Sequence, residues 1–344
     1  MKELNRRLVQ YGFFVSLFMV IAVGCGKREP EEVVVYTALD QDFSEPIFED
    51  FTRATGIVVR TAFDSESTKS VGLTQRIIDE GKRPRCDVFW NNEILNTLRL
   101  ERQDLLRPYQ SPAAAQFPAS ARSPSGMWHG FAARARVLIV NTNQIPEERR
   151  PKSIRDLTDP QWYERCGIAK PLFGTTATHA ACLFAAWGED EAKDFFGDVK
   201  SNARIMAGNK QVAQAVAGGS LAFGLTDTDD AVIEVERGMP VAIIYPDQKD
   251  GELGTLFIPN TLTIIKGSPN PEAAEKLVDY LLSADVERRL AEGPSAQIPL
   301  RPGVAASARV KTPADVRAME VDWNAAADKW DTAAEFLTAE FTAP

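Results

Sequence analysis

Val33-Val-Val-Tyr-Thr37 opens the stretch that decides the fold. A β-branched run of this kind reads as a strand. Behind it, Ser44 to Thr55 brings Ile47, Phe48 and Phe51 to helical spacing, with Ser44 in the capping position. Ile57-Val-Val-Arg-Thr-Ala-Phe63 reads as a second strand, Val71 to Glu80 as a second helix, and Cys86-Asp-Val-Phe-Trp90 as a third strand. This βαβαβ order predicts a parallel sheet with helices on both faces.

Working outward, the centre of the chain has a different pattern. Gly130 to Asn141 is one long extended candidate, βα units follow from Gly167 to Tyr245, and Leu253 to Ile265 is a second long extended stretch. Two long strands bracketing a βα-rich insertion predict an α/β protein of two lobes, with crossover strands between them. The expected organisation is a first lobe from 33–132 plus 262–344 and a second lobe over 133–261 that includes the crossovers. About 320 residues remain after residue 24, which suits two domains of ordinary size. Residues 316–340 carry Val316, Met319, Val321, Trp323, Ala326, Trp330, Ala333 and Phe336, a helical apolar stripe expected to pack on the first lobe.

At the other end, Lys2, Arg6 and Arg7 precede an apolar run from Tyr11 to Val23 that closes on Gly24-Cys25. That is the order of an export signal, so residues 1–24 read as a lipoprotein signal peptide and 25–32 as a tether. Ala22-Val-Gly-Cys25 resembles a bacterial lipobox, with Cys25 the lipidation site, although Ala22 stands where Leu is usual. An uncleaved anchor helix is the competing reading, and the run falls short of the roughly 20 residues a span needs. Removing residues 1–24 leaves 36 basic and 47 acidic residues, a net charge of −11. Such a balance excludes a phosphate-backbone binder and offers no polybasic membrane patch. Three further cysteines, Cys86, Cys166 and Cys182, lack metal-site spacing. They read either as one bridge, Cys166–Cys182, plus a free thiol, or as three small buried hydrophobes.

Several segments together carry a family resemblance. They are Val34-Val-Tyr-Thr-Ala-Leu-Asp40, Cys86-Asp-Val-Phe-Trp-Asn-Asn-Glu93, Trp128 to Val137, Ala207 to Val216 and Asn270 to Asp279. The chain resembles extracytoplasmic solute-binding proteins of ABC importers, in the ferric-binding branch of the type II periplasmic binding fold. The resemblance spans nearly the whole chain after the signal. It implies two α/β lobes that hold solute in a cleft and present it to a permease in the cytoplasmic membrane. With the export signal and Cys25, the expectation is a lipid-anchored protein on the outer side of that membrane, and a monomer.

Independent physics points to the same cleft. Open α/β sheets bind ligands beyond the C-terminal ends of their strands, so the segments around Asp40, Ser65 and Asn91 should converge. They supply Asp40, Asp42, Ser65, Ser67, Thr68, Lys69, Asn91, Asn92 and Glu93. Arg134 and Arg136 share one face of a strand by alternation, where a guanidinium wants either a bound anion or a carboxylate partner. Gly174-Thr-Thr-Ala-Thr-His179 leads into an apolar helix, so Thr175 and Thr176 sit at an anion-attracting helix start, or Thr175 merely caps it. By resemblance, this turn and Asn209 hold an anion that accompanies a metal.

The departure from the ferric pattern lies at Gly224-Leu-Thr-Asp-Thr-Asp-Asp230. Ferric-binding relatives carry adjacent tyrosines there, whereas this chain has Thr226, Asp227, Thr228, Asp229 and Asp230. Carboxylates are hard oxygen donors, so Asp40, Asn92, Glu93, Asp227 and Asp229 form a candidate set for Fe3+ or another hard cation. They would equally receive the amine of a zwitterion whose phosphonate or carboxylate is held by arginine and the helix start. A third reading keeps the fold as a surface interaction protein without a solute. Catalysis is not expected: His129 and His179 belong to no metal-binding or nucleophile motif, and phosphate-cradling fingerprints are missing. No cofactor is implied beyond Fe3+ with a bound anion as cargo.

Overall fold

The computed structural model describes residues 30–65, 68, 70–307 and 309–342. The expected export signal, the expected lipidation site Cys25, and the candidates Ser67 and Lys69 lie outside the described residues. From Glu31 onward the chain packs as one compact unit.

Among the described residues, ten strands lie in one sheet: β1 (Glu32–Thr37), β2 (Val58–Phe63), β3 (Val88–Asn91), β4 (Leu106–Arg107), β5 (His129–Asn141), β6 (Cys166–Ala169), β7 (Arg204–Met206), β8 (Phe223–Asp227), β9 (Val241–Ile244) and β10 (Phe257–Ile265). The order is β2-β1-β3-β10-β5-β8-β6-β7, with β4 beside β10 and β9 beside β5. Parallel pairs occupy both ends of this path, β2-β1-β3 at one and β8-β6-β7 at the other. Antiparallel β10 and β5 join them. The expected βαβαβ start is therefore present, with β2 as its edge strand. The helices Gln41–Thr55 and Val71–Asp79 carry the chain back for these parallel pairings.

β5 is the pivot of this arrangement. All 13 of its residues are buried, and it changes partner midway. His129 to Ala135 pair with β10, whereas Arg136 to Val140 pair with β8. The backbone bends just before this switch, where Ala132 takes a left-handed φ of 41°. Such a conformation costs a non-glycine residue about 1–3 kcal/mol. The buried Glu287 carboxylate holds it by accepting from Ala132 N at 2.8 Å, and Asn260 donates its side-chain amide to Ala132 O.

Each end of the sheet has its own apolar core. Around β1 and β3, Phe48, Phe51, Trp90, Phe131 and Leu277 pack together, and Trp90 meets Phe131 at a 5.1 Å ring separation. Around β6 and β8, Leu138, Phe184, Phe196 and Phe223 do so. Fully burying each such side chain contributes about 1.5–3 kcal/mol. The C-terminal stripe departs from expectation in part, reaching beyond the first-lobe segment. Ala333, Leu337 and Phe341 of helix Trp330–Thr342 join Phe184 and Phe196, while Ala326 and Trp330 pack with Leu95, Leu98 and Ala181. Small residues on helix Gly174–Trp187, Ala177 and Ala181, accept that bulk.

Two expected caps also change. Helix Gln41–Thr55 starts after Asp40, with Ser44 buried inside it and donating to Asp40 O at 3.1 Å. Helix Gly174–Trp187 starts after Phe173, so Thr175 is an internal residue of the first turn. Cys86, Cys166 and Cys182 are buried free thiols, matching the reading of them as small hydrophobes. Burial pushes Cys166 up to about 12, which keeps it protonated.

Candidate functional site

A cavity of about 440 Å³, open mouth included, lies at the C-terminal ends of the parallel strands. Asp40 follows β1 and Asn92 follows β3; Lys170 follows β6, Asn209 follows β7, and Asp227 closes β8. Four carboxylates (Asp40, Asp227, Asp229 and Asp230) and two cations (Arg134 and Lys170) line it.

The floor is a hydrogen-bonded network. Arg136 and Asp227 face each other across the β5–β8 ladder, with Arg136 donating to Asp227 Oδ1 at 2.7 Å. Asp227 Oδ2 accepts from the Thr175 hydroxyl at 2.6 Å and the Asn209 amide at 3.1 Å. Arg136 also donates to Thr175 at 3.3 Å, Thr176 at 3.3 Å and Asn209 Oδ1 at 3.1 Å. A buried ion pair is tolerable only when its remaining donors and acceptors are met, and here Thr175, Thr176 and Asn209 meet most of them. Gly224 makes room for this. A Cβ there would lie 2.4 Å from Val212 Cγ1, so only glycine lets helix Asn209–Ala217 approach β8 closely enough for Asn209 to reach Asp227. His179 sits beneath the floor, lowered to about 3 by burial and then by the Arg136 charge, and so is neutral.

Above the floor stands Arg134. Its side chain is 3% exposed, and Nη1 lies 3.3 Å from Asp229 Oδ2. Nη2 donates to Asn260 Oδ1 at 3.3 Å. Burial works against its charge, but Asp229, Asp227, Asp40 and Asp230 outweigh that and raise its pKa. Asp227, Asp229 and Asp230 each offer a carboxylate oxygen within 4.8 Å of the others, a grouping able to hold a metal ion. Opposite, helices Gly174–Trp187 and Asn209–Ala217 both begin at the cavity wall, beside Lys170. Their free N–H groups favour an anion there.

The cavity thus gathers Asp40, Asn92, Arg134, Thr175, Thr176, Asn209, Asp227 and Asp229. Other candidates do not line the cavity. Glu93 is buried and accepts from Leu95 N at 2.6 Å and Asn96 N at 3.1 Å, fixing the start of helix Leu95–Arg102, and from Thr178 at 2.9 Å. Burial raises its pKa. Asn91 donates to Glu93 at 2.7 Å. Thr226 donates to Asn209 O at 3.0 Å, and Thr228 accepts from Ala135 N at 3.1 Å. Ser65 and Thr68 bond one another at 2.7 Å on the exposed turn after edge strand β2, away from the cavity. Lys170 was missed, although its place just after β6 satisfies the same strand-end rule; Asp230 was noted without a role.

The model of the family described as "Bacterial extracellular solute-binding protein" matches residues 96–329. The chain belongs to that family, with the type II periplasmic binding architecture. Iron uptake protein A1 of Synechocystis sp. is 27% identical over 316 residues, 85% of this chain and 86% of that protein. A putative 2-aminoethylphosphonate-binding periplasmic protein of Salmonella typhi is 24% identical over 289 residues, 81% and 82% of the two chains. Among solved structures, iron-bound HitA from Pseudomonas aeruginosa superposes with a TM-score of 0.81 at 25% identity, covering 90% of this chain and 99% of that one. Proteins of this family are transport components rather than catalysts, and family membership implies an ABC permease and a small solute or metal as partners.

Proposed function

We propose that this protein captures a small solute of separated charge outside the cytoplasm and delivers it to an ABC permease, with Fe3+ plus an accompanying anion as its cargo. One observation carries the reading: Asp40 and Asn92 from the β1–β3 end face Asp229, Asp230 and the two helix starts of the β6–β8 end across one cavity. A guest touching both walls stabilises the closed form relative to the open one. The carboxylates would receive the cation; Lys170, Thr175, Thr176 and Asn209 would receive the anion. Relatives named for ferric iron and the grouping of Asp227, Asp229 and Asp230 support this assignment. Lipid attachment at Cys25 would keep the protein beside its permease.

A second reading rests on the absence of tyrosine and histidine among the cavity-lining residues. An amino-phosphonate or similar zwitterion would place its amine at the carboxylates and its anionic end at Lys170. Native mass spectrometry of protein from its source should reveal a retained mass that Asp40→Ala loses. Iron gives a visible charge-transfer band removed by a strong chelator, whereas an organic zwitterion raises Tm in metal-free buffer. A protein that carries nothing, with uptake undisturbed by Asp40→Ala, would sink both readings.

A further inference from the structure

A second cavity opens where β9 ends, about 670 Å³ with its mouth included, and it shares no residue with the one described above. Its charge has the opposite sign. Three cations, Arg150, Lys152 and Lys249, line it with two carboxylates, Glu147 and Glu252, whereas the first cavity sets four carboxylates against two cations. Glu252 is already engaged: it accepts from Lys249 N at 2.8 Å and stands 3.9 Å from Lys249 Nζ. Of the neighbouring acids, Asp156 accepts from Lys152 N and Ser153 N and Asp247 from the Ser153 hydroxyl, and neither lines the cavity. Arg150 and Lys152 are thus left without a carboxylate partner among the described residues, and the buried Nε of Arg150 has no hydrogen-bond partner there. Arg134 and Arg136 also leave Nε unmet, yet each holds a carboxylate through another nitrogen; Arg150 holds none. Such a guanidinium gains most from an anion that meets it with charge-assisted hydrogen bonds.

Beside these cations the wall is apolar. Ile244 and Tyr245 form it, and the tyrosine hydroxyl is engaged by Lys311 N at 2.7 Å, which leaves the ring to the cavity. Burial raises the Tyr245 pKa and keeps it uncharged. Lys311 Nζ, 5.8 Å from the centre of that ring, adds a further positive charge nearby. An inorganic ion would leave this wall wet, whereas a molecule with an anionic head and an apolar body covers it while meeting Arg150.

We propose that this cavity is a second binding site, for a small amphiphilic anion whose carboxylate or phosphate meets Arg150 and Lys152 and whose apolar body lies against Ile244 and Tyr245. The site does not depend on what the first cavity holds. The test is a fluorescence titration of the whole protein with anilinonaphthalene sulfonate, which joins an anionic group to an apolar body. One dye should bind per wild-type chain. R150Q/K152Q should weaken it at least about tenfold, the loss of a charge-assisted hydrogen bond. E147Q removes a rim carboxylate and should tighten it about two- to fivefold, and D40A should leave it unchanged. Octanoate and dihexanoyl phosphatidylglycerol, offered as competitors, distinguish a free carboxylate from a lipid phosphodiester. Displacement by neither, no stoichiometric dye, equal affinity in R150Q/K152Q, or loss of the dye in D40A overturns the proposal. Should the double variant fail to fold, E147Q decides, and an unchanged affinity refutes the site. Cargo retained in native mass spectra tests the first cavity separately.

Discussion

Arg134 and Arg136 share one face of β5, yet the regions around them differ in kind. Around Arg136, polar side chains from β8 and two helices satisfy one another, and the result is a floor. Around Arg134 the contacts are fewer, to Asp229 and Asn260 at 3.3 Å, and the surface opens into the cavity. The same residue type thus supports the site in one place and lines its cavity in the other. The physical difference is how many partners converge on each guanidinium before any ligand arrives.

That contrast is breakable by experiment. Arg136→Met should have the largest effect, because it strands Asp227 in the interior: a loss of about 3–5 kcal/mol in urea unfolding. A loss no greater than that of Arg134→Met would erase the distinction between floor and mouth. His179 comes next and sharpens the picture through pH. Its folded pKa of about 3 lies below the ordinary 6.5, so the unfolded chain takes the proton first. Stability should therefore fall as pH drops from 6.5 towards 3, by up to about 1.4 kcal/mol per unit from this group. His179→Leu should flatten that slope in thermal scans; an unchanged slope would mean that this ring is not held neutral beside Arg136.

Thr175→Val removes the hydroxyl that links Asp227 to Asn209 and should cost about 1–3 kcal/mol, with retained cargo reduced in native mass spectra. If stability drops while cargo is kept, the floor is purely structural. The smallest effect is expected at the turn after β2, where Ser65→Ala with Thr68→Ala should stay within about 0.5 kcal/mol and leave cargo untouched. Cargo loss there would place the site's edge further out than the cavity wall.

The fold was legible because its signals are local. β-branched runs from Val33 and Ile57, helical spacing of Ile47, Phe48 and Phe51, and two long extended stretches gave the alternation and the crossovers without tertiary information. Polar residues at strand ends marked Asp40 and Asn92 and a helix start marked Thr175 by similarly local logic, whereas Asn209 came only from the family resemblance. The caps at Ser44 and Thr175 misled because a hydroxyl near a helix start looks alike whether it ends the helix or lies within its first turn. The C-terminal stripe was recognisable as apolar, but its partner was not, since any complementary face satisfies such a stripe.

By itself, then, the sequence determined which elements form and which residue types crowd their ends, because backbone preference and hydrophobic period are properties of neighbours along the chain. Only the tertiary structure decided which of those polar groups are consumed by one another. β5 exchanges β10 for β8 between Ala135 and Arg136, and that register sets Arg136 opposite Asp227 while leaving Arg134 at the cavity. Spacing of two along a strand could not distinguish them, because the difference lies in partners brought from nearly a hundred residues away.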